Sequence, residues 1–269
     1  MGSPAVSVIM NCYNGERWLR TAIDSVFAQT YRDWEIVFWD NASTDGSAAI
    51  AQSYGPRVRY FRAAQTSTLG AARTLAAREA RCRYIAILDC DDVWLPDKLE
   101  RQVARMDARP ELALVYSDCW FIDGVGEILG RAFERTRPPA GDSFLGLLTR
   151  PNFIPCLTIL MRRDVLEKIG WFHPELRYTE EYDLVLRVAR DHPIDFFEEP
   201  LAQYRLHGAN TTGTGSPGTT REMLAVMERT VRDLPALGVR DRWAIRTRMG
   251  LLRCKLLVQY LKAASLWPR

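Results

Sequence analysis

The 269 residues can bury one large core, alone or with an appendage, and 47% hydrophobic with 26% charged residues excludes a disordered or fibrous chain. The formal net charge of +3 is unevenly placed: residues 221–269 hold 11 Lys+Arg against 4 Asp+Glu, so the remaining body is mildly acidic, and nucleic acid is not an expected partner. Six cysteines (Cys12, Cys82, Cys90, Cys119, Cys156, Cys254) show no Cys-x-x-Cys pair or zinc spacing and read as reduced thiols. Cys90, between two acids, reads as a poor thiolate. No secretory leader and no apolar run of about 18 residues appear, so the expectation is a cytoplasmic chain with at most peripheral membrane contact.

In chain order, residues 6–10 predict a first strand, followed by a helix with paired apolar residues at Trp18/Leu19, Ala22/Ile23 and Val26/Phe27. Residues 34–39 predict a second strand ending on Asp40, and the polar turn 41–47 leads into a helix over 48–53. A third strand over 57–61 and an Ala-rich helix over 70–81 precede a buried strand over 84–88. This alternation implies a mostly parallel sheet with helices on both faces, whose ligands lie across the carboxyl ends of the strands. Beyond Pro96 the pattern gives a helix over 97–106, a strand over 112–116, a hairpin over 121–129 and a mobile-looking loop over 136–141. A strand over 157–161, helices over 163–169 and 179–190, and short strands over 194–197 and 201–206 follow. Residues 210–218, rich in Gly, Thr and Ser, read as a lid or linker, and from Thr220 the chain is helical and basic.

Chemistry concentrates where the strand over 84–88 ends. Asp89, Asp91 and Asp92 fall within four positions, and carboxylates so crowded repel unless a cation sits among them. Hard oxygen ligands at a strand's carboxyl end suit Mg²⁺ or Mn²⁺ carrying a phosphorylated substrate. The competing reading is an acidic turn that only caps the next helix. Asp40 ends another strand at the same sheet edge.

Several motifs agree in order. They are Val6-Ser7-Val8-Ile9 with Tyr13-Asn14, Gln29-Thr30-Tyr31 with Glu35-Ile36, the turn Asp40 to Ser47, and Leu88 to Asp92 with Pro96-Asp97-Lys98-Leu99. Together they resemble a bacterial family-2 glycosyltransferase of the GT-A fold, a similarity that spans residue 5 to about 210. The resemblance implies transfer of one sugar from a nucleotide-diphosphate donor (UDP-sugars favoured) to a glycan or lipid-linked acceptor hydroxyl, with inversion and a Mn²⁺ or Mg²⁺ ion. The processive-synthase signature Gln-x-x-Arg-Trp is absent.

By the same resemblance Asp40 accepts hydrogen bonds from the nucleotide's base or ribose, and Arg73 reaches the diphosphate. Asp92 ligates the metal, Asp91 holds the ribose or shares the metal, and Asp89 supports them. The base comes from the run Thr179-Glu180-Glu181-Tyr182-Asp183, where the family has Glu-Asp-x-Asp. The second acid is Glu181 here, one methylene longer than the family's Asp, with Glu180 and Asp183 as alternatives. Tyr204-Arg205-Leu206-His207 resembles a late family segment in which His207 serves as a further metal ligand or donates to the diphosphate. Trp171 and Phe172 either stack on the acceptor or belong to the core. An aspartyl-phosphate phosphatase would place its acidic motif on the first strand, and a catalytically silent sugar-nucleotide-binding module is the other alternative.

The expected organisation is a catalytic domain over residues 1–210, with a nucleotide-sugar half to about 118 and an acceptor half over 119–210. A flexible loop over 211–219 and a helical extension over 220–269 complete it. In the extension, Ile245, Met249, Leu252, Leu256 and Ala263 form an apolar stripe. Arg248, Lys255 and Lys262 flank it on one side, with Arg242, Arg246 and Arg253 on the other. The stripe either packs on the body, which the off-stripe Trp243, Leu257 and Leu261 favour, or lies on an anionic membrane surface.

Overall fold

Alternation along a strand decides which side each residue covers, and here both sides are covered. The computed structural model describes residues 4–208, 210, 216–234 and 237–263. Strand β1 (Val6–Cys12) is buried along its whole length. Val6, Val8 and Met10 enter one apolar cluster and Ile9 another, so two cores share one sheet. Helix α1 (Glu16–Phe27) buries Leu19, Ala22, Ile23 and Val26, one stripe of the predicted pairs, in the first core. Strand β2 (Trp34–Asp40), helix α2 (Ser47–Gln52), strand β3 (Val58–Arg62), helix α3 (Leu69–Glu79) and strand β4 (Tyr84–Ile87) complete the predicted alternation.

Strands β3, β2, β1 and β4 lie side by side in that order and are all parallel. The register sets Cys12 beside Asp40 and Ile9 beside Ile87, which brings the turn after β1 and the turn after β4 to one edge.

Beyond that edge the sheet becomes mixed. Strand β5 (Val93–Trp94), helix α4 (Lys98–Ala108), strand β6 (Leu114–Ile122) and strand β7 (Ile128–Arg131) come next. Helices α5 (Ala132–Arg135) and α6 (Ser143–Thr149), a 3₁₀ turn at Cys156–Thr158 and strand β8 (Leu160–Arg162) follow. Helix α7 (Arg163–Ile169), helix α8 (Glu180–Asp191) and strand β9 (Ile194–Arg205) close the body. The order continues β4-β8-β6-β9-β5, with β7 on β6, and β6 with β9 is the parallel pair of this half. β5 was not expected, because two residues carry no readable period; β9 holds it through Val93↔Gln203 and Trp94↔Ala202. β9 joins the two expected short strands, and its register against β6 shifts around Asp118, which faces Pro200. Helix α6 follows the expected loop over 136–141 in a stretch to which the sequence pattern assigns no element; the Asp142 carboxylate caps it by accepting from the Leu145 amide at 3.1 Å.

The two halves lock through a close approach at Gly70. A Cβ there would come within 2.2 Å of the His173 carbonyl oxygen, so only glycine lets α3 meet this loop. The Gly70 amide donates to the Leu176 carbonyl at 3.0 Å and the Thr74 hydroxyl to the Phe172 carbonyl at 2.8 Å. Phe172 is accordingly buried in the core and Trp171 packs beside it. The contact fixes α8 opposite α3.

Of the segment 211–219 expected to be flexible, residues 211–215 lie outside the described residues, while 216–219 open helix α9 (Pro217–Arg232). Ser216 caps it, its hydroxyl accepting from the Thr219 amide. Helix α10 (Val239–Ala263) packs on α9 and α6. Ile245 and Met249 are buried, and Leu252 and Leu256 lie against the same core, so the predicted stripe faces inward. Arg248, expected to flank it in solvent, is buried and donates to the Leu147 carbonyl and the Tyr182 hydroxyl. Residues 264–269 lie outside the described residues.

Candidate active site

The site begins with two turns zipped together. After β1, Asn14 adopts φ 53°, and after β2, Ala42 adopts φ 68°, a conformation that costs a residue with a Cβ about 1–2 kcal/mol. The zip holds both: the Asn14 amide donates to Ser43 Oγ, the Gly15 amide to Ser47 Oγ, and the Thr44 amide to Asn14 Oδ1. Asp40 lies beneath, buried. It accepts from the Ser43 amide at 2.7 Å, the Tyr60 hydroxyl at 2.6 Å and Arg62 Nη1 at 2.7 Å. Both its oxygens are taken by protein donors, so its side chain holds the turn and does not face the cavity as the nucleotide reading expected.

Between these turns, the loop 152–156, α8 and the start of α9 lies a cavity of about 800 Å³. The turn after β4 divides its acids between the cavity and the interior. Asp89 and Asp91 line the cavity, whereas Asp92 is buried behind it. Asp92 Oδ1 accepts from the Arg205 amide at 2.8 Å, and Oδ2 is buried without a protein partner. Burial, with the charges of Asp91 and Asp89 added, holds its carboxyl well above the usual range. Asp92 was expected to be the main metal ligand; the carboxylate that faces the cavity is instead Asp91.

Asp91 Oδ2 meets His207 Nε2 at 2.8 Å. Burial and the Asp89 charge raise the Asp91 pKa, and the histidine opposes them. The His207 ring packs on Trp18 with centroids 4.4 Å apart, and Arg205 ties the segment down by donating from Nε to the Asp91 carbonyl. Trp18 and Arg205 had passed as a plain helix-face residue and a motif neighbour. Their role shows only once β9 is laid against the turn.

Arg73, expected to reach a diphosphate, is buried on the cavity wall and is engaged by two carboxylates. Its Nη2 donates to Asp89 Oδ1 at 2.6 Å and its Nη1 to Glu180 Oε1. Burial works against its charge, yet anionic neighbours led by Asp89 raise its pKa well above the ordinary value. Of the three candidate bases, Glu180 is taken by Arg73, and Asp183 is held by Arg187 and Arg229 and does not line the cavity. Glu181 lines it, and burial followed by Glu180's charge pushes its carboxyl up to about 8. Asn11, at the end of β1, also lines the cavity, 7% exposed, with neither amide atom bonded to protein. In sequence it reads as part of an ordinary polar turn. Cys90 faces Cys12 below Gly15; that thiol and burial hold it well above the usual thiol range.

The residues present fit a divalent cation of the catalytic kind. Asp91 and His207 offer a hard oxygen and an imidazole nitrogen to the cavity, and a cation there would relieve the repulsion that raises Asp91. Among the described residues no three His, Cys, Asp or Glu converge tightly enough to cage an ion alone. The remaining ligands would therefore come from a bound phosphorylated substrate and water.

Known proteins are similar to this chain in sequence and in fold. The chain is 33% identical over 217 residues to an uncharacterized glycosyltransferase of Rickettsia prowazekii, covering 79% of this chain and 67% of that one. It is 31% identical over 216 residues to one of Methanocaldococcus jannaschii, covering 77% and 72%. Among solved structures, Staphylococcus aureus TarS in complex with UDP-GlcNAc superposes with a TM-score of 0.70 at 16% identity, covering 90% of this chain and 70% of that one. The Pyrobaculum calidifontis mannosyltransferase PcManGT, in complex with GDP-Man and Mn²⁺, gives 0.69 at 16%, covering 100% and 77%. The fold is thus of the GT-A type. The family described as Glycosyl transferase family 2 matches residues 7–170, and with relatives of this identity and coverage the chain belongs to that family.

Proposed function

We propose that the chain moves one sugar from a nucleotide-diphosphate donor to an acceptor hydroxyl, with Glu181 as the general base and a divalent metal held by Asp91 and His207. The observation that carries this reading is Glu181 itself, a carboxyl held at about 8 on the wall of the cavity that Asp91 and His207 also line. A base with a pKa near the working pH removes a hydroxyl proton most efficiently. Glu181 takes the acceptor's proton as its oxygen attacks the anomeric carbon, which gives inversion. Mn²⁺ or Mg²⁺, when bound, stabilises the charge of the departing diphosphate. Arg73 positions the site by holding Asp89 and Glu180 on either side of it.

The finer reading is a UDP-sugar donor bound by the half to about residue 118, and an acceptor on a glycan or lipid-linked sugar bound by residues 119–210. The task is bacterial surface-glycan assembly on the cytoplasmic side of the membrane. UDP-GlcNAc in the TarS structure and GDP-Man with Mn²⁺ in the mannosyltransferase support the donor class. A thermal-shift screen of UDP-, GDP- and other nucleotide sugars with and without Mn²⁺ tests the donor, and nucleotide release with mixed acceptors tests transfer. Asp91→Asn should abolish the Mn²⁺ response. Donor binding without release across acceptors would leave a silent binding module, and no nucleotide-sugar response at all would overturn the proposal.

A further inference from the structure

Helix α10 is apolar on two sides. Its inner side, with Ile245 and Met249, belongs to the core. On its outer side Trp243, Leu251 and Leu257 are 70%, 67% and 61% exposed, with Val258 beside them. Trp243, Gly250, Cys254, Leu257 and Leu261 recur at steps that keep one helical face, and Leu251 and Val258 widen it. A helix anchored by its inner side needs no second apolar stripe, and a contiguous exposed one marks a docking surface.

The charges bordering the stripe identify what it meets. Arg242, Arg246 and Arg253 run along one side, Lys255 and Lys262 along the other, all exposed. Arg253 is paired with Glu228 at 2.7 Å, but among the described residues no carboxylate comes within ion-pair distance of the other four. Asp241 is the one acid of the helix. A second copy of the chain set face to face would press these cations together. A surface both apolar and anionic satisfies stripe and border at once, and a bilayer with acidic headgroups has that character.

We propose that the outer side of α10 docks on an anionic lipid surface. Trp243, Leu251 and Leu257 enter the headgroup boundary, while Arg242, Arg246, Lys255 and Lys262 meet lipid phosphates. The docking side is the reverse of the stripe that the sequence pattern marked, because that stripe is spent on the core. The inference does not depend on sugar transfer, since vesicle binding is read without donor or acceptor.

The test is co-sedimentation of the full chain with vesicles of phosphatidylcholine alone or mixed with phosphatidylglycerol, at low and high salt. Binding is expected on mixed vesicles at low salt and should fall with salt. Each of Arg246→Gln and Lys255→Gln should lower it by about fivefold. Trp243→Glu with Leu257→Glu should reduce it to the phosphatidylcholine level; both positions are exposed, and an unchanged melting temperature verifies the fold. Equal sedimentation with both vesicle types, or variants that bind as the parent does, would overturn the proposal. So would a concentration-dependent dimer dissolved by the same variants, which would give the face to a second copy.

Discussion

Asp91 and Asp92 follow one another after β4, and Glu180 and Glu181 follow one another at the start of α8. In each pair one carboxyl is anchored: Asp92, bonded to the Arg205 amide, is buried behind the cavity, and Glu180, bonded to Arg73, is buried on the cavity wall beside Glu181, while Asp91 and Glu181 line the site without such an anchor to a backbone amide or a guanidinium. The holding partners differ in kind. A backbone amide brings no formal charge, so burial raises Asp92 and favours its neutral form. A guanidinium does bring charge, so Arg73 opposes the burial that raises Glu180, and the Glu180 charge, second to burial, contributes to lifting Glu181 to about 8. One anchor is a neutral acceptor; the other is an electrostatic setting for its neighbour.

Removing the working member of the α8 pair breaks that comparison most directly. Glu181→Gln keeps the shape but accepts no proton, so kcat should fall by about 10²–10⁴-fold while donor affinity survives. Near wild-type turnover in this variant, with Asp183→Asn inactive, would move the base two residues along the helix. Next in size is the anchor's partner. Arg73→Met strands Glu180 in the interior and should cost about 3–5 kcal/mol in urea unfolding, whether or not donor is present. A loss below about 1 kcal/mol would mean that Glu180 accepts protonation at little cost.

The electrostatic setting has a sign. Glu181 is raised from 4.5 to about 8, so its contribution to stability is present below about 4.5 and is lost as pH rises to about 8. Activity runs the other way: the free enzyme's kcat/KM should climb through that region as the base ionises. Glu180→Gln removes a like charge from beside Glu181 and leaves Arg73, so the rise should move to lower pH. A limb that stays in place would show that burial alone sets the base.

Sequence reached the parallel half almost residue for residue, because continuous apolar strands and four-residue helical repeats are local signals. It reached the acidic turns for the same reason, since Asp89 to Asp92 and Glu180 to Asp183 are each a few residues long. What it could not show is which carboxylate of a pair turns inward, because that depends on partners far along the chain: Arg205 for Asp92, Arg73 for Glu180, Arg229 for Asp183. β5 was hidden likewise, being two residues held by β9. Pro96 to Leu99 was legible as a motif, but its lysine is structural: Lys98 is buried, bonds Gln102 at 2.7 Å and lies over the Trp94 ring. In the tail the period was right and the faces were ambiguous, since α10 has an apolar stripe on each side.

The smallest expected effect is the sharpest test of the neutral anchor. Asp92→Asn keeps an oxygen to accept from the Arg205 amide, and its amide group occupies the place of the buried, unpartnered Oδ2. Because burial already favours the uncharged carboxyl, the exchange replaces one neutral group by another of the same shape and keeps the bond from the Arg205 amide. Donor affinity with Mn²⁺ should change by no more than about twofold, against loss of the metal response in Asp91→Asn. A carboxyl raised in the folded state supplies stability at low pH that is lost as pH rises through its folded pKa, so Asp92→Asn should flatten the decline in melting temperature with rising pH. If Asp92→Asn instead loses the Mn²⁺ response and Asp91→Asn keeps it, Asp92 is the ligand. The turn would then have to open on binding, releasing the Arg205 amide and turning the carboxylate toward the cavity.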